Sequence, residues 1–142
     1  MLREAVAGDS RFEVCDLELH RAAPSYMVET LTQLHDERPG CRLVLLLGAD
    51  QWAGFGRWRR PREIAHLSEL AVLARSGEHP AEVDPGLGTG VPLPFTEVPV
   101  TRVDLSSTRI RRRVSEGRSS RYLVPEAVRR IIEGEKLYLS EL

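Results

Sequence analysis

Two uninterrupted apolar runs, Leu43-Val44-Leu45-Leu46-Leu47 and Leu70-Ala71-Val72-Leu73-Ala74, constrain this chain more than any other feature. Each is five residues long, ends at turn-forming residues, and lacks the polar alternation of a strand with one wet face. Such runs are the mark of strands buried on both faces of a parallel sheet. Parallel neighbours need a crossover, and Pro61 with Ile64, Ala65 and Leu67 supplies a helical pattern between them, since proline suits a first helical turn. The expectation is therefore an α/β chain with an open parallel sheet.

The remaining elements are read around that pair. Pro24-Ser25 opens a helix in which Met27, Val28, Leu31 and Leu34 recur at helical spacing, closing near Pro39-Gly40. Phe12, Val14 and Leu17 suggest a short strand over 12–16, and Phe95–Val100 another. Met1, Leu2, Ala5 and Val6 form the apolar stripe of a helix end with no cap before it. Ile110 and Val114 sit in a basic helix after Ser106-Ser107-Thr108, and Pro125 begins a last helix with Val128, Ile131 and Ile132 inward. Residues 76–94, rich in Gly and Pro, are expected to form a long loop. With 142 residues the chain reads as one domain, its C-terminal helical part spanning about 106–139.

Composition closes off several function classes. No run approaches the roughly 20 apolar residues of a membrane span, and the first residues show no signal-peptide core, so a cytoplasmic place without membrane association is expected. Cys15 and Cys41 have no C-x-x-C spacing and read as ordinary thiols; no metal-ligating cluster stands out. Net charge is −1, yet residues 102–130 carry nine arginines against three acids, while 1–56 carry nine acids against five arginines. The basic segment lacks interleaved aromatic residues, which argues against nucleic acid and for a smaller anion, although a solvated helix face would look the same.

In an open α/β sheet, ligands bind beyond the carboxyl ends of the strands. Three features fall there: Gly48-Ala49-Asp50, Arg75-Ser76-Gly77 and Ser106-Ser107-Thr108. A capping serine at 106 or 107 leaves the first N–H groups and dipole of the next helix facing an anion, and Thr108 and Arg111 add a hydroxyl and a guanidinium within the first turn. Gly48 allows close backbone approach and Asp50 offers a carboxylate to a ribose hydroxyl, or a helix cap. Trp52 and Trp58 flank Gly54-Phe55-Gly56, where an indole could stack on an aromatic ring or simply pack. Tyr26, beside the free N–H groups of its helix start, invites the same two readings.

Taken together, these residues form an ordered series. Pro24-Ser25-Tyr26 with Thr30-Leu31, Leu45-Leu46-Leu47-Gly48-Ala49-Asp50, Trp58 eight positions later, Arg75-x-Gly77, Ser106-Ser107-Thr108-x-Ile110-Arg111, and Val124-Pro125 with Leu137-Tyr138 resemble bacterial nicotinate-nucleotide adenylyltransferases. The resemblance runs from residue 1 to about 139. It implies a Rossmann-like nucleotidyltransferase fold and transfer of AMP from ATP to nicotinate mononucleotide, giving deamido-NAD and pyrophosphate. By that likeness Ser106, Thr108 and Arg111 hold ATP phosphates, Gly48, Asp50 and Arg75 contact the nucleotide, and Tyr26 with Trp58 frame the nicotinate ring. Mg²⁺ would ride mainly on the phosphates.

Two departures stand out. Met27 follows Tyr26 where the family usually has Thr, removing a hydroxyl expected near the nicotinate carboxylate. An H-x-G-H motif is expected against the triphosphate, yet His20, His35, His66 and His79 never have that spacing. The expectation is that an opening β-α-β unit, roughly 30 or more residues, is missing, and that the chain as given has impaired activity. Other readings are a pantetheine-phosphate or nicotinamide-mononucleotide adenylyltransferase, or a nucleotide-binding module without catalysis.

Overall fold

The computed structural model describes residues 1–75, Pro80, 92–101 and 103–139, and of Arg75 the backbone alone. They group into two compact units, Leu17–Arg102 and Met1–Asp16 with Val103–Leu142.

The larger unit holds a parallel three-stranded sheet in the order β1 (Val44–Gly48), β2 (Glu69–Arg75), β3 (Thr96–Val100). Leu47 pairs with Val72, and Val72 with Glu97, so the three strands run in register toward one carboxyl rim. Helices α2 (Met27–Glu37), α3 (Ala49–Ala53) and α4 (Pro61–Leu67) accompany it, with 3-10 turns at Leu17–His20 and Phe55–Arg57. Pro61 occupies the first turn of α4 as its fixed φ allows. The helical periodicity of α2 turns Val28 and Leu31 inward, where they join Leu47, Trp52, Phe55, Ile64, Leu70 and Val72 in one core.

The two apolar runs part company here. β2, paired on both sides, buries Leu70, Ala71, Val72 and Ala74. β1 pairs on one side only among the described residues, and Leu46 stays 62% exposed although its neighbour Leu47 is buried. Expected burial of both faces therefore holds for β2 and fails for β1: hydrophobicity selects a strand, while cover depends on what packs against each face. The strand expected at 12–16 is likewise absent. A strand exists through its ladder, these residues pair with none of the described strands, and Phe12 is exposed. The stretch expected to loop, 76–94, lies outside the described residues except Pro80 and the irregular residues 92–94.

The smaller unit contains α1 (Leu2–Val6), α5 (Ser107–Ser115) and α6 (Glu126–Gly134), with α1 against α6. α6 turns Ile132 inward and half-buries Val128 and Ile131, as its spacing predicts. Arg129 forms ion pairs at one-turn spacing with Glu126 and Glu133, both at 2.5 Å.

Candidate functional site

Three strand ends determine where chemistry can sit in the larger unit. Gly48 closes β1 and is itself the cap residue of α3, so Asp50 lies inside that helix's first turn and is not its cap. The Asp50 carboxylate folds back over the glycine: a Cβ at position 48 would meet its Oδ1 at 2.8 Å. A side chain at position 48 would therefore displace the Asp50 carboxylate, which is exposed at the rim and free to turn outward. Arg75 ends β2 on the same rim; its side chain, with Ser76, Gly77 and His79, lies outside the described residues.

A cavity of about 370 Å³ opens between the start of α2 and the 57–59 segment. Tyr26 and Trp58 both line it, with Glu18, Met27, Arg57 and Arg59. Local backbone explains how they converge. Tyr26 is the extended residue that precedes α2, Trp58 is the extended residue after the 3-10 turn, and Arg60 then takes a left-handed conformation (φ 53°) that swings the chain into α4. The two tryptophans have opposite fates. Trp52 is 1% exposed, packed between Phe55 and Phe95 at centroid distances of 5.3 and 4.8 Å, so its role is core. Trp58 is half-buried, braced by Phe55 at 5.2 Å with part of the indole left to the cavity.

The cavity has a cationic edge that the residue pattern did not single out. The Arg59 guanidinium sits 4.4 Å from the Tyr26 ring centroid, a cation–π contact. Arg57 and Arg59 have no carboxylate partner among the described residues. No local pattern signalled this: in an extended segment the neighbours of Trp58 would point to the opposite face, and it is the 3-10 turn ending at Arg57 that lets both arginines line the cavity. Glu18, the acid in the lining, accepts a hydrogen bond from the buried Thr30 Oγ1 at 2.8 Å. Arg21 donates to Thr30 Oγ1 at 2.9 Å and also to the Gln33 side chain. This network ties the 17–21 turn to α2 and so braces one wall.

In the smaller unit Ser106 is the cap of α5, its Oγ accepting from the Arg109 N–H at 3.2 Å. Arg111 donates to Thr108 Oγ1 at 3.3 Å, one helical turn apart. All three of Ser106, Thr108 and Arg111 are exposed, with the first N–H groups of a nine-residue helix beside them. Arg112 instead pairs with Glu116, whose carboxyl is held below its ordinary value by Arg112 and then Arg118. Tyr26 and Trp58 are therefore brought together in one unit, and Ser106, Thr108 and Arg111 in the other. Among the described residues no three His, Cys, Asp or Glu side chains converge as a metal cluster, and no helix is long and apolar enough to cross a membrane. Cys15 and Cys41 are exposed free thiols.

Comparison with known proteins shows the family. The cytidylyltransferase-like family matches residues 1–113. A probable nicotinate-nucleotide adenylyltransferase of Salinibacter ruber is 40% identical over 97% of this chain and 69% of its own length. Those of Thermus thermophilus and Rhodopirellula baltica are 41% and 35% identical, over 94% and 97% of this chain and 68% and 67% of theirs. Residues 1–142 thus span about two thirds of the length of these relatives. A parallel three-stranded sheet, a capped arginine helix, and this breadth of identity lead to one assignment: the chain belongs to the cytidylyltransferase-like family, among the nicotinate-nucleotide adenylyltransferases.

Proposed function

We propose that this protein transfers AMP from ATP to nicotinate mononucleotide. The observation that carries the reading is the cavity shared by Tyr26 and Trp58, two aromatic walls with a cationic edge. A planar pyridine ring is bound well between such walls, and a carboxylate on it is favoured where guanidiniums lack acidic partners. Relatives named as probable nicotinate-nucleotide adenylyltransferases support the same choice. Met27 contributes no hydroxyl there, so carboxylate recognition falls to backbone N–H groups and to the two arginines.

The chemistry asks for no enzyme nucleophile. A phosphate oxygen of nicotinate mononucleotide attacks the α-phosphorus of ATP, a new P–O bond forms, and the bond to the bridging oxygen breaks as pyrophosphate leaves with its electron pair. Positioning and neutralisation of charge then constitute the catalysis. Ser106, Thr108 and Arg111 are the groups proposed to hold the triphosphate: a hydroxyl and a guanidinium with helix N–H donors suit phosphate oxygens. Asp50 and Gly48 are proposed for the nucleotide near its ribose, and Arg75 for the same ligand. Mg²⁺ fits a site where phosphate oxygens and water supply most donors, and when bound it would offset charge on the leaving pyrophosphate.

Equilibrium binding separates this reading from its rivals. Titration of residues 1–142 followed by tryptophan fluorescence is expected to show nicotinate mononucleotide binding at least about tenfold more tightly than nicotinamide mononucleotide, the step one charged contact supplies. Trp58→Ala is expected to abolish the response. Tighter binding of the amide, or of RNA in preference to ATP, overturns the assignment. Pyrophosphate release by residues 1–142 alone is expected to be weak, because these residues include no H-x-G-H motif; normal turnover would refute that part.

A further inference from the structure

The arginines of α5 do not form one patch. At about 100° per residue, Arg109 and Arg111 lie roughly 200° apart around the helix, while Arg109 and Arg113 share a face one turn apart. Thr108 and Arg111 are hydrogen-bonded to each other on one side. On the other, Arg109 and Arg113 line a separate cavity of about 250 Å³ together with Arg121, Asp104, Leu105 and Leu123.

Three arginines thus line this small concave space with Asp104 as the acid in the lining, the Arg121 guanidinium lying 6.0 Å from the Tyr122 ring centroid. The geometry is organised. Arg109 Nη1 donates to the Asp104 carbonyl at 3.1 Å and Arg113 Nε to the Ser119 carbonyl at 2.5 Å, so each side chain is held by one N–H while others remain for a ligand. The Arg121 backbone N–H donates to Ser119 Oγ at 3.1 Å, which secures the third arginine's position in the return segment. Like charges gathered this way repel unless an anion stands among them, and the planar fork of arginine suits a tetrahedral oxyanion.

We infer that Arg109, Arg113 and Arg121 form a second oxyanion site, distinct from the Ser106–Arg111 face, that takes a phosphate-sized anion, either free or as the phosphoryl group of a larger ligand. This site stands on its own geometry and does not depend on the adenylyltransferase reading.

Calorimetric titration of the 142-residue chain with inorganic phosphate, at ionic strength held constant with chloride, tests it. Saturable binding is expected. Arg121→Gln, which removes a guanidinium that ties down no backbone carbonyl, is expected to weaken it at least about tenfold, and Arg109→Gln provides the same readout should the first variant fail to fold by circular dichroism. Arg112→Gln deletes the same charge from the same helix outside the cavity and is expected to change affinity less than about twofold. A parallel titration with AMP distinguishes the sources: Arg121-dependent binding tighter than phosphate indicates a phosphoryl group of a larger ligand, and no gain indicates the free ion. The proposal is overturned if phosphate shows no saturable binding above chloride. It is equally overturned if Arg112→Gln costs as much as Arg121→Gln, or if Arg111→Gln abolishes binding while Arg121→Gln leaves it intact.

Discussion

The two compact units are held by different forces. The unit of residues 17–102 surrounds its sheet with fully buried Trp52, Phe55, Ile64, Val28 and Val72, whereas in the other the described buried residues are Val114, Ile132 and Ser120. In place of a large core the smaller unit has a capped arginine helix, α1 against α6, and ion pairs such as Arg3–Asp16 at 2.7 Å and Arg129 with Glu126 and Glu133. Exposed ion pairs each contribute about 0–1 kcal/mol, less than one well-buried side chain. The lesson is that the Tyr26–Trp58 cavity lies in the unit with the buried core, while the arginine-bearing helix is set by capping and charge, which salt and pH can reach.

The largest test of that contrast is Trp52→Ala, expected to destabilise the chain by about 3–5 kcal/mol in denaturant unfolding. Ile132→Ala in α6 should cost nearer the lower end of the range for aliphatic truncation, about 2 kcal/mol, because few of the described residues of its unit are buried. Equal losses at the two positions would erase the distinction between the units. Within β1 the same logic applies over one peptide: Leu47→Ala is expected to cost about 2–5 kcal/mol, and its exposed neighbour Leu46→Ser less than about 0.5 kcal/mol.

Ser106→Ala removes the one side-chain acceptor at the start of α5 and should cost about 1 kcal/mol, visible as faster amide exchange in that helix with the sheet unaffected. The smallest effect is electrostatic. Glu126 is pulled down to about 2, chiefly by its hydrogen bonds from Arg129. A carboxyl depressed on folding stabilises the fold above its ordinary value of 4.5 and loses that contribution as pH falls toward 2. A carboxyl-carbon NMR titration should therefore find Glu126 with a midpoint near 2, and Arg129→Gln should return it toward 4.5; an unmoved midpoint would mean the pair is not formed in solution.

Much of the fold was legible in the residues. Apolar runs with turn residues at their ends located β1 and β2, Pro61 located the start of α4, and of the two serines offered as caps Ser106 is the one that serves. Tyr26 and Trp58, 32 positions apart in the chain, do share one cavity. What escaped was side-chain fate. Trp52 and Trp58 flank the same glycine turn, yet one is core and one lines a cavity, because only packing neighbours decide which face of a turn is covered. Phe12 and Val14 carried a strand-like pattern with no ladder to join.

Local chemistry thus determined β1, β2, α2, α4 and the last two helices, and the groups suited to phosphate and to an aromatic ring, since propensity, capping and periodicity act over a few residues. Tertiary structure decided that β1 leaves Leu46 bare, that Arg57 and Arg59 rim the Tyr26–Trp58 cavity, and that Arg121 joins Arg109 and Arg113 around one cavity. Burial and convergence depend on groups distant in the chain, and no local pattern records which of them will meet.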